Sequence, residues 1–191
     1  MKKAIVFAVA CLAAAGIGFG TYRLAAAKRV IDEAPPPGLA FTDLDGAEHR
    51  LEQWRGKLLL INFWATWCTP CIEEIPELVK LQKQYGSRGL QIIGPAVDDA
   101  DTARAAMSSL GIDYPVMTGS VEALTAAMEK LGNDKGALPF SVVVSAEGRI
   151  IERHLGQFSA AELQALVQPR LAGNPPGNHP DNHPANRPDN H

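Results

Sequence analysis

Apolar residues recur along this chain with two spacings, and the alternation between them outlines the fold. Lys57 to Trp64 is a nearly continuous apolar run, which predicts a central strand buried on both faces. Leu90 to Ile93 predicts a second strand, stopped by Gly94-Pro95. Between them, Glu73 to Tyr85 has helical spacing, with Ile75, Leu78, Val79 and Leu81 on one face and Gly86 and Gly89 at the exit. Further helices are predicted over Asp99–Leu110, with Asp98 or Asp99 as cap, and over Val121–Leu131, ending at Gly132-Asn133. Ser159–Leu171 is the last, and Ser159 with Glu162 forms a capping box. Short strand segments fill the gaps: a hairpin over Leu39–Arg50 turning at Asp45-Gly46, a piece at Tyr114–Met117, and a second hairpin, Phe140–Ser145 with Arg149–His154, around Glu147-Gly148. Leu51–Arg55 reads as one helical turn. Strands alternating with helices, then a hairpin and a final helix, predict an α/β domain with a central mixed sheet flanked by helices, spanning residues 39–171.

The ends follow different patterns. After Met1-Lys2-Lys3 the chain is apolar from Ala4 to Gly20. That length lies at the short end of the roughly 17–25 residues that span a bilayer, and a secretory signal has the same charged start. Residues 1–33 are therefore expected to be a membrane anchor or a cleaved signal with its flank. Either places the bulk of the chain outside the cytoplasm, anchored in the inner membrane facing the periplasm, or periplasmic if cleaved. Cys11 faintly suggests a lipid-modified cysteine, but the apolar run continues past it. Residues 34–38, with Pro35, Pro36 and Pro37, are expected to form a stiff extended linker. From 172 to 191 the chain is Asn, Pro, His and Asp with almost nothing apolar, and a disordered tail is expected.

Composition narrows the function by exclusion. The formal charge is −3 and aromatics are 6%, so no basic, aromatic-interleaved surface for nucleic acid exists. No Gly-rich phosphate loop is present. Of the three cysteines, Cys11 sits in the apolar N-terminal run, which leaves Cys68 and Cys71 in the domain. A structural disulfide closing so short a loop would remove little chain entropy, which tilts the pair toward chemistry.

The sharpest signal is Trp67-Cys68-Thr69-Pro70-Cys71, directly after the strongest strand and at the start of a helix. Only a thiolate attacks a disulfide, and a free cysteine is mostly protonated at neutral pH. A helix N-terminus offers unpaired N–H groups and the positive end of the macrodipole, both of which stabilise a thiolate at Cys68. Cys71 lies one turn on and can reach the same sulfur, and Pro70 fits the first turn, where a missing N–H costs nothing. Trp67 supplies an apolar ring beside the sulfur. This predicts a dithiol/disulfide couple in which Cys68 attacks and Cys71 resolves. Half of a zinc site and two inert core cysteines are the alternatives. Zinc wants about four ligands, and the only other histidines of the domain are His49 and His154.

Asn62-Phe63-Trp64-Ala65-Thr66-Trp67-Cys68-Thr69-Pro70-Cys71 resembles the active-site strand and turn of the thioredoxin superfamily. With the N-terminal segment, the hairpin at Asp45-Gly46 and Gly56-Lys57 before the strand, the chain resembles the membrane-anchored TlpA/ResA-like disulfide reductases. The resemblance implies a thioredoxin-like fold with an N-terminal hairpin extension. It also implies a cis-proline facing the cysteines, matched by Pro139, with the Leu138 backbone and Trp67 turned toward a bound peptide. Ala137 and Phe140 stand where the family usually has Gly and Thr. Glu74 matches a family glutamate that can relay the proton Cys71 must lose, and burial would raise its pKa to suit. Glu73 reads instead as a solvated first-turn acid. The implied partners are protein disulfide substrates, such as the cysteines of apocytochromes or copper sites, and a membrane thiol protein that donates electrons; no bound cofactor or metal is implied. Rival readings are a copper-binding module using Cys68, Cys71 and the tail histidines His179, His183 and His191, and a thiol peroxidase of related fold.

Overall fold

The computed structural model describes residues 31–171. The expected anchor or signal segment, the lipid-site reading of Cys11 and the expected polar tail fall outside the described residues. Among the described residues no helix is long and apolar enough to cross a membrane.

Seven strands form one mixed sheet: β1 (Ala40–Asp43), β2 (Glu48–Arg50), β3 (Leu58–Phe63), β4 (Leu90–Pro95), β5 (Val116–Thr118), β6 (Phe140–Val144) and β7 (Ile150–Leu155), in the order β2-β1-β5-β4-β3-β6-β7. Four helices flank it: α1 (Thr69–Tyr85), α2 (Ala100–Ser109), α3 (Val121–Lys130) and α4 (Ala160–Leu171). The uninterrupted apolar run makes β3 the centre. All six of its residues are buried, with β4 parallel on one side and β6 antiparallel on the other. The β1–β2 hairpin joins the sheet through antiparallel pairing of β1 with β5. Its turn is held by Asp43, whose Oδ1 accepts from the amides of Asp45 and Ala47, and by Gly46 at φ 88°, a conformation that favours glycine.

The boundaries shift where hydrogen bonding, rather than side-chain pattern, sets them. β4 runs through Gly94-Pro95 instead of stopping before it. Gly94 donates to the Pro115 carbonyl, and the Pro95 carbonyl accepts from Trp64, so proline sits where only its acceptor is needed. Gly94 also permits a close approach: a Cβ there would lie 3.0 Å from Trp64 Nε1 and 3.1 Å from the Tyr114 ring. Tyr114 precedes β5 instead of belonging to it. Asp99 caps α2 through the Thr102 amide, Ser120 caps α3, and Ser159 and Glu162 exchange the two bonds of the capping box.

Framework contacts begin upstream of Leu39. Glu33 exchanges both backbone hydrogen bonds with Ile150 on the outer edge of β7, at 3.1 and 2.7 Å. Arg149 pairs with Asp32, and Arg153 with Glu33 at 2.7 Å. An edge strand left open invites pairing with other chains, and this segment covers it.

Candidate active site

The end of β3 and the start of α1 meet in a short turn. Trp64 continues past the strand by bridging to Ala96, and the Cys68 amide donates to the Ala65 carbonyl. Asp98, just after β4, clamps this turn: one carboxylate oxygen accepts from the Thr66 amide at 2.7 Å, the other from the Thr66 hydroxyl at 3.0 Å. Cys68 is the N-cap residue of α1, with extended backbone and no capping side-chain bond, and Pro70 occupies the first turn. The helix thus begins four residues before its periodic face, because a cap and a proline define its start. The Sγ atoms of Cys68 and Cys71 are 2.03 Å apart, a disulfide, with Cα atoms at 5.3 Å. Cys68 is 6% exposed and Cys71 1%, so Cys68 is the less buried of the two. Trp67 beside them is 67% exposed.

The Leu138–Pro139 peptide bond is cis, as the resemblance implies. Phe140 pairs with Phe63, so this bond lies just beyond the end of β3 from which the cysteine turn emerges. Two bonds hold the loop: the Gly156 amide donates to the Pro139 carbonyl at 2.9 Å, and the Asn133 side chain both donates to the Ala137 carbonyl (2.8 Å) and accepts from its amide (3.3 Å). Leu155, paired with Phe140, is exposed at the same end of the sheet. Trp67, the half-buried Leu138 and Leu155 leave apolar surface around the cysteine end.

Glu74 is 1% exposed, one turn beyond Cys71 on the buried face of α1, whereas Glu73 is exposed. Each carboxyl oxygen of Glu74 has one donor. Oε1 accepts from Asn62 Nδ2 at 3.0 Å, and Oε2 accepts from the Phe158 amide at 3.0 Å. Asn62 gives its second N–H to Ser141 Oγ, also at 3.0 Å. Burial pushes the Glu74 carboxyl up from an ordinary 4.5 to about 7, and the two donors pull against that rise. Burial, with the charges of Glu74 and Asp113, pushes the Tyr114 phenol above its usual range, and its hydroxyl has no hydrogen-bond partner.

Every predicted site residue in the domain thus sits at one end of the sheet: Trp67, Cys68, Cys71 and Glu74 on the turn and first helical turns, Leu138 and Pro139 on the facing loop. The histidines do not join them in a cluster. His49 on β2 bonds Asp43 and Gln53 and stacks on Trp54, and His154 stacks on Phe158. Among the described residues no group of three or more His, Cys, Asp or Glu is placed to hold a metal ion, and His179, His183 and His191 lie outside them. Asn62 and Ser141 are each the lone polar residue in an otherwise apolar strand, but the sequence does not show that Asn62 bonds both Ser141 and Glu74. Asp98, a candidate helix cap, braces the cysteine turn instead. Nothing in the spacing of Asn133 announced its hold on Ala137.

Comparison with known proteins agrees with this geometry. The redoxin family model matches residues 29–167. The thiol-disulfide oxidoreductase ResA of Geobacillus kaustophilus is 29% identical over 81% of this chain and 92% of its own. ResA of Bacillus subtilis is 28% identical over 71% and 75%. A crystal structure of a thiol:disulfide interchange protein of the thioredoxin family from Chlorobium tepidum superposes with a TM-score of 0.63 at 31% identity, covering 76% of this chain and 99% of that one. The chain belongs to the redoxin family, within the thioredoxin superfamily.

Proposed function

We propose that this protein is a thiol–disulfide oxidoreductase that reduces disulfides of other proteins outside the cytoplasm. One observation carries the reading: the sulfur at the N-cap of α1 is bonded to a more deeply buried sulfur one turn from a buried carboxyl. In the dithiol form, the helix N-terminus stabilises the Cys68 thiolate, which attacks one sulfur of a substrate disulfide. A mixed disulfide forms and the other substrate sulfur leaves as a thiolate. Cys71 then gives its proton to the Glu74 carboxylate and attacks Cys68 Sγ. The Cys68–substrate bond breaks, the second substrate sulfur departs with the electron pair and takes up a proton, and Cys68–Cys71 closes. The substrate gains two electrons; Glu74 passes on the single proton given up by Cys71, the first departing thiolate protonates from solvent, and a donor dithiol must restore the pair.

Trp67, Leu138 and Pro139 form the substrate-docking surface in this reading, with Leu155 added to it. The names of the ResA relatives and the Chlorobium tepidum protein support the reaction class. The family resemblance extends the proposal to cysteine pairs of apocytochromes or copper sites as substrates, and to a membrane thiol protein as donor. The charged start and apolar run of residues 1–33 support a membrane anchor or signal that delivers the domain beyond 38 outside the cytoplasm.

Turnover of insulin disulfides by the full-length chain, with a dithiol reductant, tests the reaction. Cys68→Ser is expected to abolish turnover, and Cys71→Ser to stall as a mixed disulfide visible by mass. Unchanged turnover in both variants would overturn the proposal. A reduction potential near −270 mV fits a reductase, and one near −120 mV an oxidant.

A further inference from the structure

Glu74 is held by two donors from different elements, and one of them is a side chain whose identity the chain could have chosen otherwise. Asn62 is the penultimate residue of β3, 1% exposed, in a strand otherwise made of apolar residues. A buried amide without partners would cost stability, so its two N–H bonds need a purpose. Ser141, its cross-strand neighbour on β6, is equally buried and takes the second N–H. The carboxylate decides which way the amide faces: with its oxygen turned to Glu74, the amide would present an acceptor to an ionised acceptor, whereas the Ser141 hydroxyl holds the side chain in place by bonding it in either orientation.

We propose that Asn62, locked by Ser141, is a positioning residue for the resolving step: its N–H aims the Glu74 carboxylate and favours the ionised form that can accept the Cys71 proton. The inference rests on the proposed proton-relay role of Glu74. The groups facing Glu74 are few: Asn62 from β3, Ser141 behind it on β6, the Phe158 amide from the loop before α4, and Cys71 on its own helix. His154 on β7, paired with Ser141 and stacked on the Phe158 ring at 3.7 Å, and the Tyr114 phenol are the nearby titratable groups. No fixed cation is bonded to the carboxyl, so neutral donors alone oppose its burial. Removing one of them leaves the proton held to higher pH.

The test follows the two phases of thionitrobenzoate release when the reduced, full-length chain in a Cys11→Ala background meets Ellman's reagent. The first phase reports attack by Cys68, and the second reports attack by Cys71 on the mixed disulfide. In Asn62→Leu and in the smaller Asn62→Ala, the acid limb of the second phase is expected to move up by a pH unit or more. The second-phase rate at pH 7 then falls about fivefold or more, since a carboxyl titrating at about 7 goes from about half ionised to about one-tenth ionised when its titration moves up by one unit. The first phase is expected to stay as it was. Ser141→Ala is expected to shift the limb the same way by less. If Glu74→Gln removes the acid limb while the Asn62 variants leave it in place, the positioning role is wrong and the Glu74 reading survives. If Glu74→Gln itself leaves the second phase unchanged, the Glu74 reading fails and takes this inference with it. Should Asn62→Leu not fold, Asn62→Ala decides.

Discussion

Replacing Glu74 by Gln should change how stability depends on pH, independently of catalysis. In the folded protein the carboxyl titrates at about 7, against an ordinary 4.5. Between those values the folded state binds a proton that the unfolded state has released. Stability therefore falls as pH rises from 4.5 through 7, and levels above that. At about 1.4 kcal/mol per pH unit the span amounts to about 3 kcal/mol, and full burial leaves no solvent screening to discount it. Gln keeps the shape but cannot titrate. Its amide must also turn one N–H toward either Asn62 or Phe158, both donors, at a cost of about 1–3 kcal/mol that does not vary with pH. The slope is thus the diagnostic and the offset is not. Urea unfolding of the oxidised protein from pH 4 to 8.5, with both chains measured side by side, removes contributions from the cysteines and cancels those of His49 and His154. The wild-type chain is expected to lose about 3 kcal/mol relative to Glu74→Gln across that range. Parallel curves, within about 0.5 kcal/mol from pH 4.5 to 7.5, would refute the claim that burial raises the titration of this carboxyl toward neutrality.

Two braces give further expectations. Asp98→Ala removes both bonds to Thr66, so unfolding free energy should drop by about 1–3 kcal/mol and the Cys68 thiol should react more slowly, read by denaturant titration and by alkylation rate. Asn133→Ala frees the Ala137 peptide ahead of Pro139, and should raise KM for a disulfide-containing peptide several-fold with a smaller change in kcat, read by steady-state turnover.

The sequence was most legible where one local pattern decided the outcome. The apolar run at Lys57–Trp64 predicts a doubly buried strand, and β3 is one. The Ser159–Glu162 spacing named the start of α4, and Trp67–Cys71 announced a redox turn before any contact was known. Helical spacing across Ile75, Leu78 and Val79 even carried α1 through Pro76, because burial of that face outweighs one lost backbone bond. What stayed hidden depends on residues far apart in the chain. Asn62 meets Ser141, 79 positions on, and Phe158 reaches Glu74 from 84 positions away. The seating of Glu33 on β7 likewise joins residues separated by most of the domain. A polar residue inside an apolar strand signals that some partner exists, but only the register of β3 with β6 says which.

The central claim is that the N-cap position of α1 makes Cys68 the ionised, attacking sulfur and leaves Cys71 protonated beside Glu74. The pH dependence of iodoacetamide alkylation of the reduced protein, resolved by cysteine with mass spectrometry, measures this directly. Cys68 is expected to react along a titration with its midpoint well below the 8.5 of a free cysteine, and Cys71 far more slowly throughout. Equal reactivity of the two, with a shared midpoint near 8.5, would contradict the account.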